Sequence, residues 1–294
     1  MSGLSFETVQ AGTAIAASTD DSPPPSSRAR RSSRRASDYI GLVVVFGFFI
    51  GAWYLLSKVI LPKQKRFLLP TPNKVIREAF LDWSRLKPIL TAVEQSAKVA
   101  LVGLVITIAV GIGLATVMSM ARWVERSIWP YLVAIQAAPI LALTPLISGL
   151  LGFAFKSRVL VAVLISFFPV VNNTLFGLLS VDRSHHELFT LQGANRWTRL
   201  RKLQFPAALP NIFVGLRNAA GLSVIGAVVG DFYFRQGGQV GIGAQIDVYR
   251  QRLRGSEMIA SIILAALLGL SVFVFFGWLG RRATGRWHTD TRGN

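Results

Sequence analysis

An all-α membrane protein with six transmembrane helices is the fold class this sequence predicts. Three observations carry that expectation. Hydrophobic residues make up 52% of the 294 positions and the mean hydropathy is +0.48, a composition richer in apolar residues than ordinary soluble domains. Five runs, 39–57, 99–121, 127–155, 159–181 and 258–280, contain no Asp, Glu, Lys or Arg, and each has the length of the roughly 20 residues that a spanning helix needs. A sixth run, 203–230, is interrupted only by Arg217.

Net charge and cysteine content remove other classes. A formal charge of +18 and a pI near 11.4 would suit nucleic acid only on a soluble face, and here the charge lies between apolar runs. With no cysteine, there is no disulfide framework and no thiolate metal or redox site.

Residues 1–38 are rich in Ser, Pro, Ala and Thr and end in "RARRSSRRAS". No apolar core of signal-peptide type follows a charged start, so this zone reads as a disordered basic arm. Its cluster Arg28, Arg30, Arg31, Arg34 and Arg35 precedes the first run directly and is expected to stay cytoplasmic. Six spans then place the 122–126 and 182–206 loops and the 283–294 tail on the same side, with 39–282 as the transmembrane domain.

Between the first two spans, "LPTPNKVIREAFLDW" offers Thr71 as N-cap and Pro72 as first helical residue. Val75, Ile76, Ala79, Phe80 and Trp83 follow at helical spacing, predicting a short amphipathic helix on the outer surface that covers the rim of the bundle. In the third span, "QAAPILALTPL" places Pro139 and Pro145, with Gln136 nearby, within the bilayer. Each proline frees a carbonyl that must find a partner, so the span is either a kinked packing helix or one lining a solute route. Asn172, Asn173 and Thr174 in the fourth span put three successive polar groups around the helix, suited to interhelical bonding or to the same route. Arg217 lies close enough to the inner surface to snorkel.

The stretch "HELFTLQGANRWTRLRKLQFPAALP" between the fourth and fifth spans is basic and amphipathic. "SHHE" at 184–187 has capping-box spacing, with Ser184 as cap and Glu187 reaching back. Leu188 and Leu191 lie on the apolar side of the helix this starts. Gly193 and Ala194 then allow a bend, and Asn195 can cap a second short helix carrying Arg196, Trp197, Arg199, Arg201 and Lys202, closed by Pro206 and Pro210.

The spacing Glu187, Gly193, Leu203, Phe205, Pro206 resembles the cytoplasmic E-x5-G-x9-I-x-L-P motif of binding-protein-dependent ABC importer permeases, with Leu203 and Phe205 in place of Ile and Leu. Together with "LLPTPNKVIREAF", "APILALTPLISGLLGF", "FFPVVNNTLFGLLSVD" and "GIGAQI", it is similar to the branch for nitrate, sulfonate, taurine and thiamine precursors, over about residues 65–280. The resemblance implies a type I importer fold in the prokaryotic inner membrane, with both termini cytoplasmic. It implies a second permease subunit, most simply as a homodimer, two ATPase subunits that bind ATP and Mg, and an extracytoplasmic solute-binding protein. The segment Glu187 to Phe205 would be the coupling helix region, inserted into a groove of the ATPase. The chain itself has no G-x4-G-K-[ST] phosphate loop, so it is not expected to be an enzyme or to hold a cofactor.

Within that branch the solute is expected to be either a small organic anion or a heterocyclic vitamin precursor. "ISGLLGF" lacks the tryptophan of sulfonate permeases, and "FFPVVNNT" with "GLLSVD" looks closer to those for thiamine pyrimidines or riboflavin. Asp231, Arg235, Arg250, Arg252 and Arg254 are expected as exposed outer charges suited to docking a binding protein. His185, His186 and Glu187 do not make a metal site, because adjacent helical residues diverge by about 100° and no third ligand follows. The rival class is an ATP-independent channel or secondary carrier, which the sequence favours less: it shows neither related halves nor a buried ionisable relay.

Overall fold

The computed structural model describes residues 41, 43–234 and 240–284. The basic arm, Arg235 and the tail beyond Thr284 lie outside the described residues. The chain divides into a unit ending at Ala52 and a second beginning at Trp53. The first contributes the start of helix α1, Val43–Ile60, whose Val43, Phe46 and Phe48 are exposed as a lipid-facing helix requires.

Among its described residues the second unit consists of helices joined by short turns, with no strand. A short α2, Pro72–Val75, passes through a π turn into α3, Trp83–Met120. Then follow α4, Arg122–Ala137; α5, Ile140–Leu151; α6, Phe155–Leu179; α7, Arg183–Leu191; and α8, Arg196–Arg199. A π turn at Leu200–Gln204 leads into α9, Phe205–Tyr233, and the chain continues through α10, Ile242–Gln251, and α11, Gly255–Thr284. Among the described residues five helices, α1, α3, α6, α11 and the one running through α8 and α9, are each long and apolar enough to cross a membrane. The expected third span is not one helix: α4 and α5 meet at 97° and make the sixth crossing only as a bent pair.

Pro139 breaks that span and Pro145 does not. Ala138, before Pro139, is forced out of the helical region to ψ 131, as proline demands of its predecessor. At Pro145 the carbonyl left without an amide, Leu141 O, instead accepts the Thr144 hydroxyl at 2.8 Å, and α5 continues.

The core is a three-helix seam in which α6 packs parallel to α3 and antiparallel to α9. Gly103 of α3 and Gly226 of α9 both press on Ala162 of α6; a Cβ at 226 would lie 2.6 Å from the Ala162 Cα. With lipid on one side and no hydrophobic drive between helices, such close backbone approach supplies the dispersion contacts that hold a membrane bundle together. Thr107 and Ser166, both fully buried, share a hydrogen bond of 2.9 Å between α3 and α6. α11 packs antiparallel on α9, with Gly280 against Phe213 and Gly277 against Arg217.

The amphipathic rim helix forms as expected, with Val75 and Ala79 buried among Ile89, Ala92, Ile242 and Ile259. Its details differ: Thr71 makes no side-chain cap, Ile76 is exposed, and Trp83 begins α3 behind its own cap, Asp82, which accepts from the Ser84 amide.

At the α10 end of the bundle, Asp231 is not the exposed charge expected. It is buried and ion-paired with buried Arg158, Nη1 to Oδ1 3.2 Å, and its other oxygen accepts from the Ser96 hydroxyl. The Ser96 oxygen in turn accepts from the Ile242 amide at 2.7 Å. One network thus joins α3, α6, α9 and the start of α10.

Candidate functional site: the α7–α8 hairpin

At the opposite end, α7 and α8 form a compact hairpin between α6 and α9. Asp182, not Ser184, stands at the N-cap, because the helix starts two residues earlier than the capping box requires. Glu187 then falls four residues after Arg183 and bonds its Nε at 2.9 Å. It therefore pairs along the helix and does not reach back to the backbone.

The turn is closed at both sides. Gly193 adopts φ +66°, its amide donates to Thr190 O at 3.0 Å, and the Ala194 amide donates to Phe189 O at 2.9 Å. This is the paired-bond helix stop in which glycine takes the left-handed position without the Cβ penalty. Asn195 then caps α8, accepting from the Thr198 amide at 2.7 Å. Arg199 reaches back from α8 to donate to the Thr190 hydroxyl at 2.9 Å, tying the two helices together.

Below the hairpin, Leu200 is buried with Leu178, Ala208 and Ile212, and the Gln204 amide group donates to Leu178 O. The anchor is apolar and the tip is bare. Leu188, Leu191 and Trp197 are 51%, 86% and 67% exposed, and no residue of α7 is buried. Burying side chains of this size is worth about 1.5–3 kcal/mol apiece, so the hairpin offers an apolar contact framed by Arg183, Arg196, Arg201 and Lys202. A Cβ at Gly193 would meet nothing within 4 Å, so the glycine leaves its surface open to something outside the chain.

The residues expected on a solute route divide. Gln136, Pro139 and Pro145 are exposed at and beside the α4–α5 bend. On α6, Asn172 is half-buried, Asn173 donates to Pro169 O at 2.8 Å beside Gly215, and Thr174 is buried with no hydrogen-bond partner for its hydroxyl. Asn173 is thus committed to the α6–α9 seam, leaving Asn172 and the exposed bend as polar groups open to a passing molecule. Sequence reasoning missed Thr190, Leu200 and the Arg158–Asp231 pair. Arg158 and Asp231 each stand just outside or at the edge of an uncharged run, a signal that two charges share one depth.

Residues 106–285 match the family of binding-protein-dependent transport system inner membrane components. The chain belongs to this family. The permease is 38% identical over 169 residues to the riboflavin transport system permease protein RibX of Chloroflexus aurantiacus, an overlap that covers 58% of this chain and 62% of the relative. It is 34% identical over 207 residues to the formylaminopyrimidine transport permease protein ThiX of Halalkalibacterium halodurans, covering 70% of this chain and 81% of the relative. With the putative aliphatic sulfonates transport permease protein SsuC of Bacillus subtilis, identity is 28% over 77% of this chain and 80% of the relative. It is accordingly an ABC transporter permease and a multi-pass membrane protein, and the matched region includes the bent α4–α5 pair, the hairpin and α9.

Proposed function

We propose that this permease is the transmembrane subunit of an ATP-driven importer, passing a small solute from an extracytoplasmic binding protein, with the α7–α8 hairpin docked in a groove of the ATPase partner. The observation that carries the proposal is the bare apolar tip on a hairpin whose turn is closed by the Gly193 stop and the Asn195 cap: a solvated loop has no use for Leu188, Leu191 and Trp197 held outward on closed turns. Two copies of the permease and two ATPase subunits, which hold the ATP and Mg, make the assembly. Closure of the paired ATPases draws the two hairpins together and shifts the bundle between its two access states. The hairpin, the arm and the carboxyl tail face the cytoplasm in this arrangement.

The solute is proposed to be a heterocyclic vitamin precursor rather than a small organic anion. Gln136 beside the bend and Asn172 on α6 are neutral amides, which suit hydrogen bonding to a heterocycle; Arg158, the buried cation of the bundle's described part, already holds Asp231. The relatives named for riboflavin and formylaminopyrimidine also share more identity with this chain than the one named for sulfonates.

Extraction of the tagged protein from its host in mild detergent tests the assembly. A stoichiometric ATPase, lost in Gly193→Asp while membrane insertion persists, is the expected result. Finding no ATPase under conditions that preserve other membrane complexes, or full uptake by Gly193→Asp, would instead favour a channel or secondary carrier.

A further inference from the structure

The inner half of the α9–α11 pair, the half that ends beside the hairpin, is purely cationic. Arg217 projects from α9 with its guanidinium carbon 4.0 Å from the centre of the Phe273 ring of α11. Gly277 makes the space for it, since a Cβ there would come 3.2 Å from the Arg217 Nε. One turn further on α11 lies Arg281, followed by Arg282, whose guanidinium stacks over Trp278 at 4.9 Å. Among the described residues none of these three arginines forms an ion pair. The acidic residues of the two helices, Asp231 and Glu257, stand at the far end, about 21 Å along α9 from Arg217 and about 36 Å along α11 from Arg281 by helical rise.

Directly beyond Arg217, the same two helices leave an open apolar groove of about 580 Å³. Its floor is lowered by Gly221, Ala265 and Gly269, and its near end is Phe273, the ring that carries Arg217. From Arg217 to Val229 at its far end is about 18 Å along the helix, comparable to the hydrocarbon depth of one leaflet, about 15 Å. A cation at the mouth of an apolar channel one leaflet deep has the charge and the shape of one kind of molecule.

We propose that this surface binds an anionic phospholipid, its phosphate on Arg217 and Arg281 and one acyl chain in the Gly221–Gly269 groove. An uncompensated guanidinium within a spanning helix is costly, and a lipid phosphate supplies both its counter-charge and its hydrogen-bond acceptors. The Phe273 ring holds the guanidinium plane in place, adding a cation–π contact that strengthens away from water. The orientation proposed above sets only which leaflet supplies the lipid. The site itself stands on the two helices.

Native mass spectrometry of the full-length permease in detergent, titrated with dioleoyl phosphatidylglycerol or dioleoyl phosphatidylcholine, tests this without the ATPase. The wild type is expected to retain the glycerol lipid in preference to the choline lipid. Arg217→Gln should lower phosphatidylglycerol retention about fivefold, the worth of one arginine at an anionic lipid surface, with little effect on phosphatidylcholine, and Arg217→Lys should keep most of it. Gly269→Leu, which fills the groove, should reduce both lipids. An unchanged lipid preference in Arg217→Gln would overturn the proposal. So would a Gly269→Leu variant that keeps its lipid but loses its dimer, because the groove would then hold a second copy of the chain.

Discussion

Arg158 and Asp231 meet as a buried ion pair where α6 begins and α9 ends, and Ser96 of α3 holds the second carboxylate oxygen. Removing one charge leaves the other stranded, which typically costs 3–5 kcal/mol, whereas replacing both with apolar residues is often tolerated. Asp231→Asn should therefore lower the melting temperature in detergent sharply, and Arg158→Met combined with Asp231→Leu should recover much of the loss. A double change that costs as much as the two single changes added together would show that the charges act independently.

The Gly226 contact with Ala162 makes a steric prediction. Gly226→Val forces the α6 and α9 backbones apart and is expected to destabilise by about 1–3 kcal/mol, read as earlier thermal aggregation on size-exclusion. Gly149→Ala, where a Cβ meets nothing within 4 Å, should melt like the wild type. A tolerant Gly226→Val would mean that the seam is looser than its geometry.

Gly193 separates folding from docking. Its φ of +66° is one that asparagine adopts more readily than other L residues, so Gly193→Asn should leave stability nearly unchanged and Gly193→Val should lower it by about 1–2 kcal/mol. Because a Cβ meets nothing of this chain there, a loss of ATPase co-purification in Gly193→Asn would have to arise at the partner surface. Retention of the ATPase at wild-type stoichiometry in both variants would remove Gly193 from the interface.

Asn195 and Trp197 are expected to behave oppositely. Asn195→Ala removes the α8 cap and should cost about 1 kcal/mol of stability. Trp197→Ala, at a side chain 67% exposed, should leave melting unchanged yet weaken ATPase association by tenfold or more, as loss of an aromatic anchor does. The two are compared by melting and by pull-down on the same preparations.

The spans were legible because charge-free runs of bilayer length leave few alternatives. Their ends were not: α3 begins at Trp83, sixteen residues before its uncharged run, since Glu94 and Lys98 pair at 2.8 Å on its exposed side and permit a charged helical extension. Pro139 and Pro145 looked equivalent in sequence; the structure separates them, with the Thr144 hydroxyl bonded to the carbonyl that Pro145 leaves free. In the hairpin, Gly193 and Asn195 were readable as stop and cap because their local chemistry decides them. The capping box failed because Asp182 offered a competing start two residues upstream of Ser184. Asp231 was misplaced because burial depends on which helices converge, and Arg158 lies 73 residues away in sequence.

The closed turns of the hairpin set its mechanical compliance. With Gly193 bonded into the stop of α7, Asn195 locking α8 and Arg199 bracing one against the other, a force applied at Leu191 has little local give to dissipate it. It passes to the π turn at Leu200–Gln204, whose base is fastened by Leu200 and Gln204 to the end of α6. Under the proposed docking, the hairpin would serve as a stiff lever with its fulcrum inside the protein, and a small displacement at the surface would become a tilt at the root of α9.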